Sequence, residues 1–139
     1  MKKPNMEELL KIAKEILDVN ENASLTGSLM LKIRGFDLGR EPSDVDILIP
    51  DYAGNIVFPK GFTIEIEGCA SDGCSAKYKH NDITFDVLSS EEEPEIYYGW
   101  KLGTIERLMQ RKYKYSKQNN ENAKKHYEDL IKLGFKFSV

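Results

Sequence analysis

What this chain lacks narrows its class before any motif is read. It has no apolar run near the roughly 18 residues needed to cross a bilayer, and its opening, MKKPNMEELL, holds no secretory hydrophobic region. Only two cysteines occur in 139 residues, too few to staple a domain of this size, so a reducing cytoplasm is the expected compartment. Five prolines and ten glycines are scattered without a period, which excludes a collagen-like chain. At 40% hydrophobic and 31% charged, the composition is that of an ordinary globule and not of a disordered, fibrous or coiled-coil protein. The length suits one domain spanning residues 1–139, with enough chain for a real core.

What is present is an uneven charge. Residues 1–100 carry ten Lys/Arg against nineteen Asp/Glu, a net of -9, whereas residues 101–139 carry ten against four, a net of +6. An acidic body joined to a basic C-terminal part suits a polyanionic ligand held where the two meet, with cations on the acidic side. Solvated, lysine-rich helix faces are the plain alternative.

Periodicity sets out the elements. Met6, Leu9, Leu10, Ala13, Ile16 and Leu17 form one apolar stripe of a first helix, with Asn5 as N-cap and Asn20 and Asn22 as its break. A short strand over 23–26 meets Gly27-Ser28, where a second helix starts and runs to about Gly35. After a polar loop over 36–43, Asp44 to Ile49 reads as a β-branched strand stopped by Pro50. Alternation predicts a half-exposed strand over 62–67. A loop over 68–75, a strand over 76–79, a turn at Asn81-Asp82 and a strand over 83–88 follow. Residues 89–95 (SSEEEPE) read as an acidic connector, after which come a helix capped by Thr104 and a last helix ended by Gly134. This order predicts an α/β (α+β) fold, a small mixed sheet flanked by helices.

Three features carry chemistry. Thr26-Gly27-Ser28 lies where a strand gives way to a helix, and glycine lets a phosphate approach the backbone there. In Asp44-Val45-Asp46 the two carboxylates share a strand face about 6.6 Å apart, an unfavourable pairing unless a cation such as Mg²⁺ sits between them. Asp86 is an acid inside an otherwise apolar strand, placed to be the third carboxylate of a two-metal site and the general base of an in-line displacement. Each feature alone has an ordinary reading, as an N-cap, a surface acid pair or an edge-strand acid. Jointly they favour a site.

Leu25-Thr26-Gly27-Ser28, then Ser43-Asp44-Val45-Asp46-Ile47-Leu48-Ile49 and the later Asp86 resemble the nucleotidyltransferase superfamily with the DNA polymerase β-type palm. The nearer likeness is to its small bacterial branch of antibiotic adenylyltransferases and toxin–antitoxin or abortive-infection nucleotidyltransferases. Arg40-Glu41-Pro42 ahead of the metal strand, the 102–112 segment and Lys125-His126-Tyr127-Glu128-Asp129-Leu130 add to the likeness, which covers about two thirds of the chain. The resemblance implies a nucleotidyltransferase-like fold, Gly27 and Ser28 on nucleotide phosphates, and Mg²⁺ on Asp44, Asp46 and Asp86. The expected substrates are an NTP and an unidentified hydroxyl acceptor, with a cognate protein or nucleic acid as further possible partners.

Arg40 and Lys112 complete the expected nucleotide-binding set. Lys112 falls seven residues after Ile105, where the stripe asks for an apolar residue, so it either reaches water or turns to a phosphate. Arg40 has the surface, Asp44 or a phosphate open to it. His126, on the last helix's stripe, reads as a satisfied core histidine, and Lys125 with Asp129 as a surface i, i+4 pair. Cys69, Cys74 and His80 are too loosely spaced for a zinc site, and Tyr97, Tyr98 and Trp100 read as a core-covering aromatic cluster rather than a base-stacking platform. Two rivals to catalysis of transfer stand: a silent nucleotidyltransferase-like binding or antitoxin-type module, and a phosphohydrolase using the same acids on water.

Overall fold

The computed structural model describes residues 5–134. The Asn5 side chain accepts from the Glu8 backbone N–H at 2.8 Å and starts helix α1, Met6–Val19. Its stripe sends Leu9, Ala13, Ile16 and Leu17 into the core. At the far end the Lys101 ammonium donates to the carbonyls of Leu17, Asn20 and Glu21 at 2.8, 2.9 and 2.9 Å, where the helix dipole favours a cation.

Strand β1 (Ser24–Thr26) runs straight into helix α2 (Gly27–Ile33), and strand β2 (Asp44–Ile49) follows the 36–43 loop. Strands β3 (Glu65–Cys69), β4 (Ser75–His80) and β5 (Ile83–Ser89) form a meander, and a hairpin of β6 (Glu95–Tyr97) and β7 (Trp100–Leu102) leads to helices α3 (Ile105–Ser116) and α4 (Ala123–Lys132). The seven strands make one mixed sheet in the order β3-β4-β5-β2-β1-β7-β6. Its centre is the parallel pair β2–β5, flanked by antiparallel β1–β2 and β4–β5.

Alternation along β2 and β5 divides the two faces of the sheet. Val45, Ile47, Phe85 and Val87 are fully buried, in one core with Leu9, Ala13 and Ile16 of α1 and Leu29 and Leu31 of α2. Removing Phe85 from such a core costs about 3–5 kcal/mol. Asp44, Asp46 and Asp86 take the opposite face.

Several expectations need correction. The strand expected over 62–67 is displaced to Glu65–Cys69, because Phe62 leaves the ladder to stack on His80 at 4.3 Å. All five residues of β3 are exposed, as befits an edge, and its register shifts between Ile66 and Gly68. The acidic connector is not simply solvated. Glu92 turns inward and keeps only 4% of its side chain exposed. The β6–β7 hairpin was not expected at all. It closes through Tyr98 (φ 46) and Gly99 (φ 82), and a tyrosine gives no hint of the left-handed backbone such a turn requires.

The largest correction concerns Asp129. It does not pair with Lys125 at the surface but is fully buried. The Arg40 guanidinium donates to both of its oxygens at 2.8 and 2.7 Å, and the Lys112 ammonium donates to Oδ2 at 2.9 Å. Arg40 is thus neither at large on the surface nor on Asp44, and Lys112 is buried. One carboxylate ties α4 to α3 and to the loop before β2.

Burial alone would push the Asp129 carboxyl up, but the Arg40 and Lys112 hydrogen bonds overturn that and bring it down to about 2. Removing it strands two cations, so Asp129→Asn should cost about 3–5 kcal/mol in urea denaturation. Because the folded value is depressed, the carboxylate's contribution is whole above the unfolded value near 4 and is lost as pH falls towards 2. Acid titrations should show roughly 2 kcal/mol less of this loss in Asp129→Asn than in the wild type.

Candidate functional site

The parallel register sets Asp46 directly beside Asp86, and Asp44 two residues earlier on the same face. Antiparallel pairing sets Thr26 beside Asp46, so Gly27 emerges over the carboxylates as β1 ends. Gly27 has φ +72, and a methyl group there would overlap Asp46 Oδ2 and stand 2.7 Å from its Cγ. Both the left-handed backbone and the close approach require glycine.

These residues line a cleft of about 510 Å³. Thr26, Gly27, Ser28, Asp44, Asp46 and Asp86 form its sheet side, and Arg111, Lys112, Tyr115, Lys125 and His126 of α3 and α4 face them, with Arg40 from the loop before β2. The acidic body and the basic C-terminal helices therefore meet in one cleft. Every residue expected at the site from sequence lines it: Gly27, Ser28, Arg40, Asp44, Asp46, Asp86 and Lys112.

Crowded negative charge dominates the floor. Burial first, then Asp86 and Asp44, push the Asp46 carboxyl up to about 7. Asp86 is also raised, by burial first, while Lys77 and a hydrogen bond with Asp46 pull the other way. Oxygen donors short of positive charge are the kind of set that suits Mg²⁺. Even so, among the described residues no group of three or more His, Cys, Asp or Glu side chains is gathered as a metal site. The oxygen-donor chemistry of Asp44, Asp46 and Asp86 fits the ion.

Comparison with known proteins finds no matching family model, no matching curated protein and no matching solved structure.

Three residues at the site escaped the sequence reading. Arg111 donates to Thr26 Oγ1 at 3.0 Å and to Glu92 Oε2 at 2.7 Å, which holds it over the β1–α2 junction. Glu92 sits between Glu91 and Glu93, and nothing in that run marks one glutamate for burial. Tyr115 lines the cleft with its ring 5.2 Å from that of His126. The expectation for His126 also needs correction, since its Nδ1 is buried without a hydrogen-bond partner among the described residues. Burial first and then the Lys112 charge lower its pKa, which favours the neutral ring.

The discounted zinc cluster does not assemble. Cys69 and Cys74 are exposed free thiols, and His80 lies six residues along the chain from Cys74, about 20 Å away for an extended strand. Tyr97, Tyr98 and Trp100 belong to the β6–β7 hairpin and its turn and line no part of the cleft, and Tyr98 is 88% exposed, so it covers no core.

Gly27→Ala should lower stability by about 1–3 kcal/mol in urea denaturation, through positive φ and displacement of Asp46. Ser28→Ala next to it should stay within about 0.5 kcal/mol. Equal effects would mean the contact with Asp46 does not constrain position 27.

Proposed function

We propose that this chain is a Mg²⁺-dependent nucleotidyltransferase, moving a nucleoside monophosphate from an NTP to a hydroxyl acceptor with release of pyrophosphate. The observation that carries the reading is the face shared by Asp44, Asp46 and Asp86 beneath Gly27, opposite a basic wall. The nucleotidyltransferase-like character of the fold belongs to the same proposal. So does a cytoplasmic setting.

Mg²⁺, when bound, would supply neutralisation of phosphate charge and polarisation of the reacting phosphoryl group. Asp44 and Asp46 would hold it, with Asp86 as the third carboxylate. Gly27, by having no side chain, and Ser28, through its hydroxyl, would accept the phosphates against the backbone. Arg111, fixed by Glu92 and Thr26, would present its guanidinium to phosphate oxygens, and the Arg40–Lys112–Asp129 cluster would contribute its net positive field. Asp86 would orient the acceptor hydroxyl and take its proton. The hydroxyl oxygen bonds to the α-phosphorus as the bond to the bridging oxygen of the β-phosphate breaks, and pyrophosphate leaves with that electron pair.

A second reading is a silent module of the same shape, pairing with a cognate protein in the manner of an antitoxin. One observation favours it: Arg40 and Lys112, both expected on the nucleotide, already bind Asp129. Retained NTP binding without any labelled product across acceptors would select it.

The decisive measurement is isothermal titration of ATP with Mg²⁺. Asp46→Asn should weaken binding at least about tenfold, ~1.4 kcal/mol. Its metal-free melting temperature should hold or rise, because the substitution relieves crowding by Asp86 and Asp44. Equal affinity in both proteins would remove the metal assignment.

A further inference from the structure

Beside the cleft, and sharing Leu88, Arg111 and Tyr115 with it, lies a second cavity of about 480 Å³. Its charged lining is Arg107, Arg111 and Lys114, with no carboxylate, and Ser89, Ser90 and Gln110 add neutral donors. The cations recur at i, i+4 and i+7 along α3, so one face of that helix delivers all three.

Like charges in a row repel, and the two arginines of this row are held together from behind. Glu92 Oε2 accepts from Arg111 at 2.7 Å, from Arg107 at 3.4 Å and from the Ser90 hydroxyl at 3.0 Å. Glu92 itself is sealed from solvent and forms no part of the cavity wall. Arg107 engages it through Nε alone, and Lys114 has no ion-pair partner among the described residues. The cavity thus offers exposed cationic groups on a pinned scaffold, and guanidinium with ammonium is the pairing that phosphate oxygens favour. Tyr115 borders this cavity, the cleft and the hollow beside Asp46 and Asp86 alike.

We infer that this cavity binds a phosphate-bearing acceptor, with Arg107 and Lys114 on its phosphate. The inference rests on the nucleotidyltransfer reading for the acceptor role and deepens it. The acceptor's own phosphate anchors it next to the cleft, and its hydroxyl attacks the α-phosphorus while Asp86 takes the proton and pyrophosphate departs. Such a phosphate belongs either to a nucleic-acid end or to a small phosphorylated alcohol.

The test is fluorescence anisotropy of a short 5′-labelled single-stranded RNA, with glycerol 3-phosphate as competitor. It compares the wild type with the double variant Arg107→Gln/Lys114→Gln. Neither residue lines the nucleotide cleft and both are exposed, so the melting temperature should be unchanged and the ATP–Mg²⁺ affinity should hold within about twofold, well under the ~1.4 kcal/mol of a tenfold change. RNA affinity should fall at least about tenfold, and the slope of log affinity against log salt should flatten by about 1.4, for two lost phosphate contacts on a single strand. Competition by glycerol 3-phosphate in the wild type supports the site with a small phosphorylated acceptor. RNA binding without competition supports it with a nucleic-acid end. No RNA binding by the wild type, or equal binding by the variant, overturns the site. Loss of RNA affinity in the variant, with no ATP–Mg²⁺ binding by the wild type, keeps the anion site and overturns the acceptor role.

Discussion

The parallel pairing of β2 with β5 is the constraint on which the rest of this molecule depends. Six consecutive register pairs, from Asp44 with Thr84 to Ile49 with Ser89, lock the two strands. Because side chains alternate, the same register that buries Val45, Ile47, Phe85 and Val87 forces Asp44, Asp46 and Asp86 onto the other face. A slip by one residue would put carboxylates into the apolar core and valine, isoleucine or phenylalanine side chains into the cleft. Core formation and site formation are therefore one event, and the apolar side supplies the stability that the crowded acids work against.

The basic wall is organised by two buried carboxylates rather than by the helices' own pattern. Asp129 gathers Arg40 and Lys112, and Glu92 gathers Arg107 and Arg111. Each acid lies far in sequence from at least one of its cations, so each ties the C-terminal helices to the body of the domain. Buried ion pairs contribute little net stability against an apolar alternative. Here they hold cations at defined positions around a cleft and a neighbouring cavity, which free lysines on a solvated helix face would not do.

Much of this was legible in the sequence. The stripe of α1, the Asn5 and Thr104 caps, β2, β5 and the Asn81-Asp82 turn follow from local periodicity and turn chemistry. The acid pair two residues apart announced a shared face before any fold was known. The reading failed where a long-range partner outweighed the local pattern. Phe62 abandoned an alternating strand for the ring of His80, Asp129 passed over a neighbouring lysine for two distant cations, and the β6–β7 hairpin formed across a turn with Tyr98 in the left-handed region. His126 lay on the expected stripe, yet its Nδ1 found no partner.

By itself, then, the amino-acid order determined that helices would cover a mixed sheet, that three aspartates would occupy one class of strand position, and that a glycine would stand at a strand–helix junction. Those are consequences of periods of 2 and 3.6 residues and of backbone freedom at glycine. Only the tertiary structure decided which strands are neighbours, that Gly27 rests against Asp46, and which of the many acids go inside with which cations. Those choices depend on contacts between residues tens of positions apart, and no local window of sequence contains them.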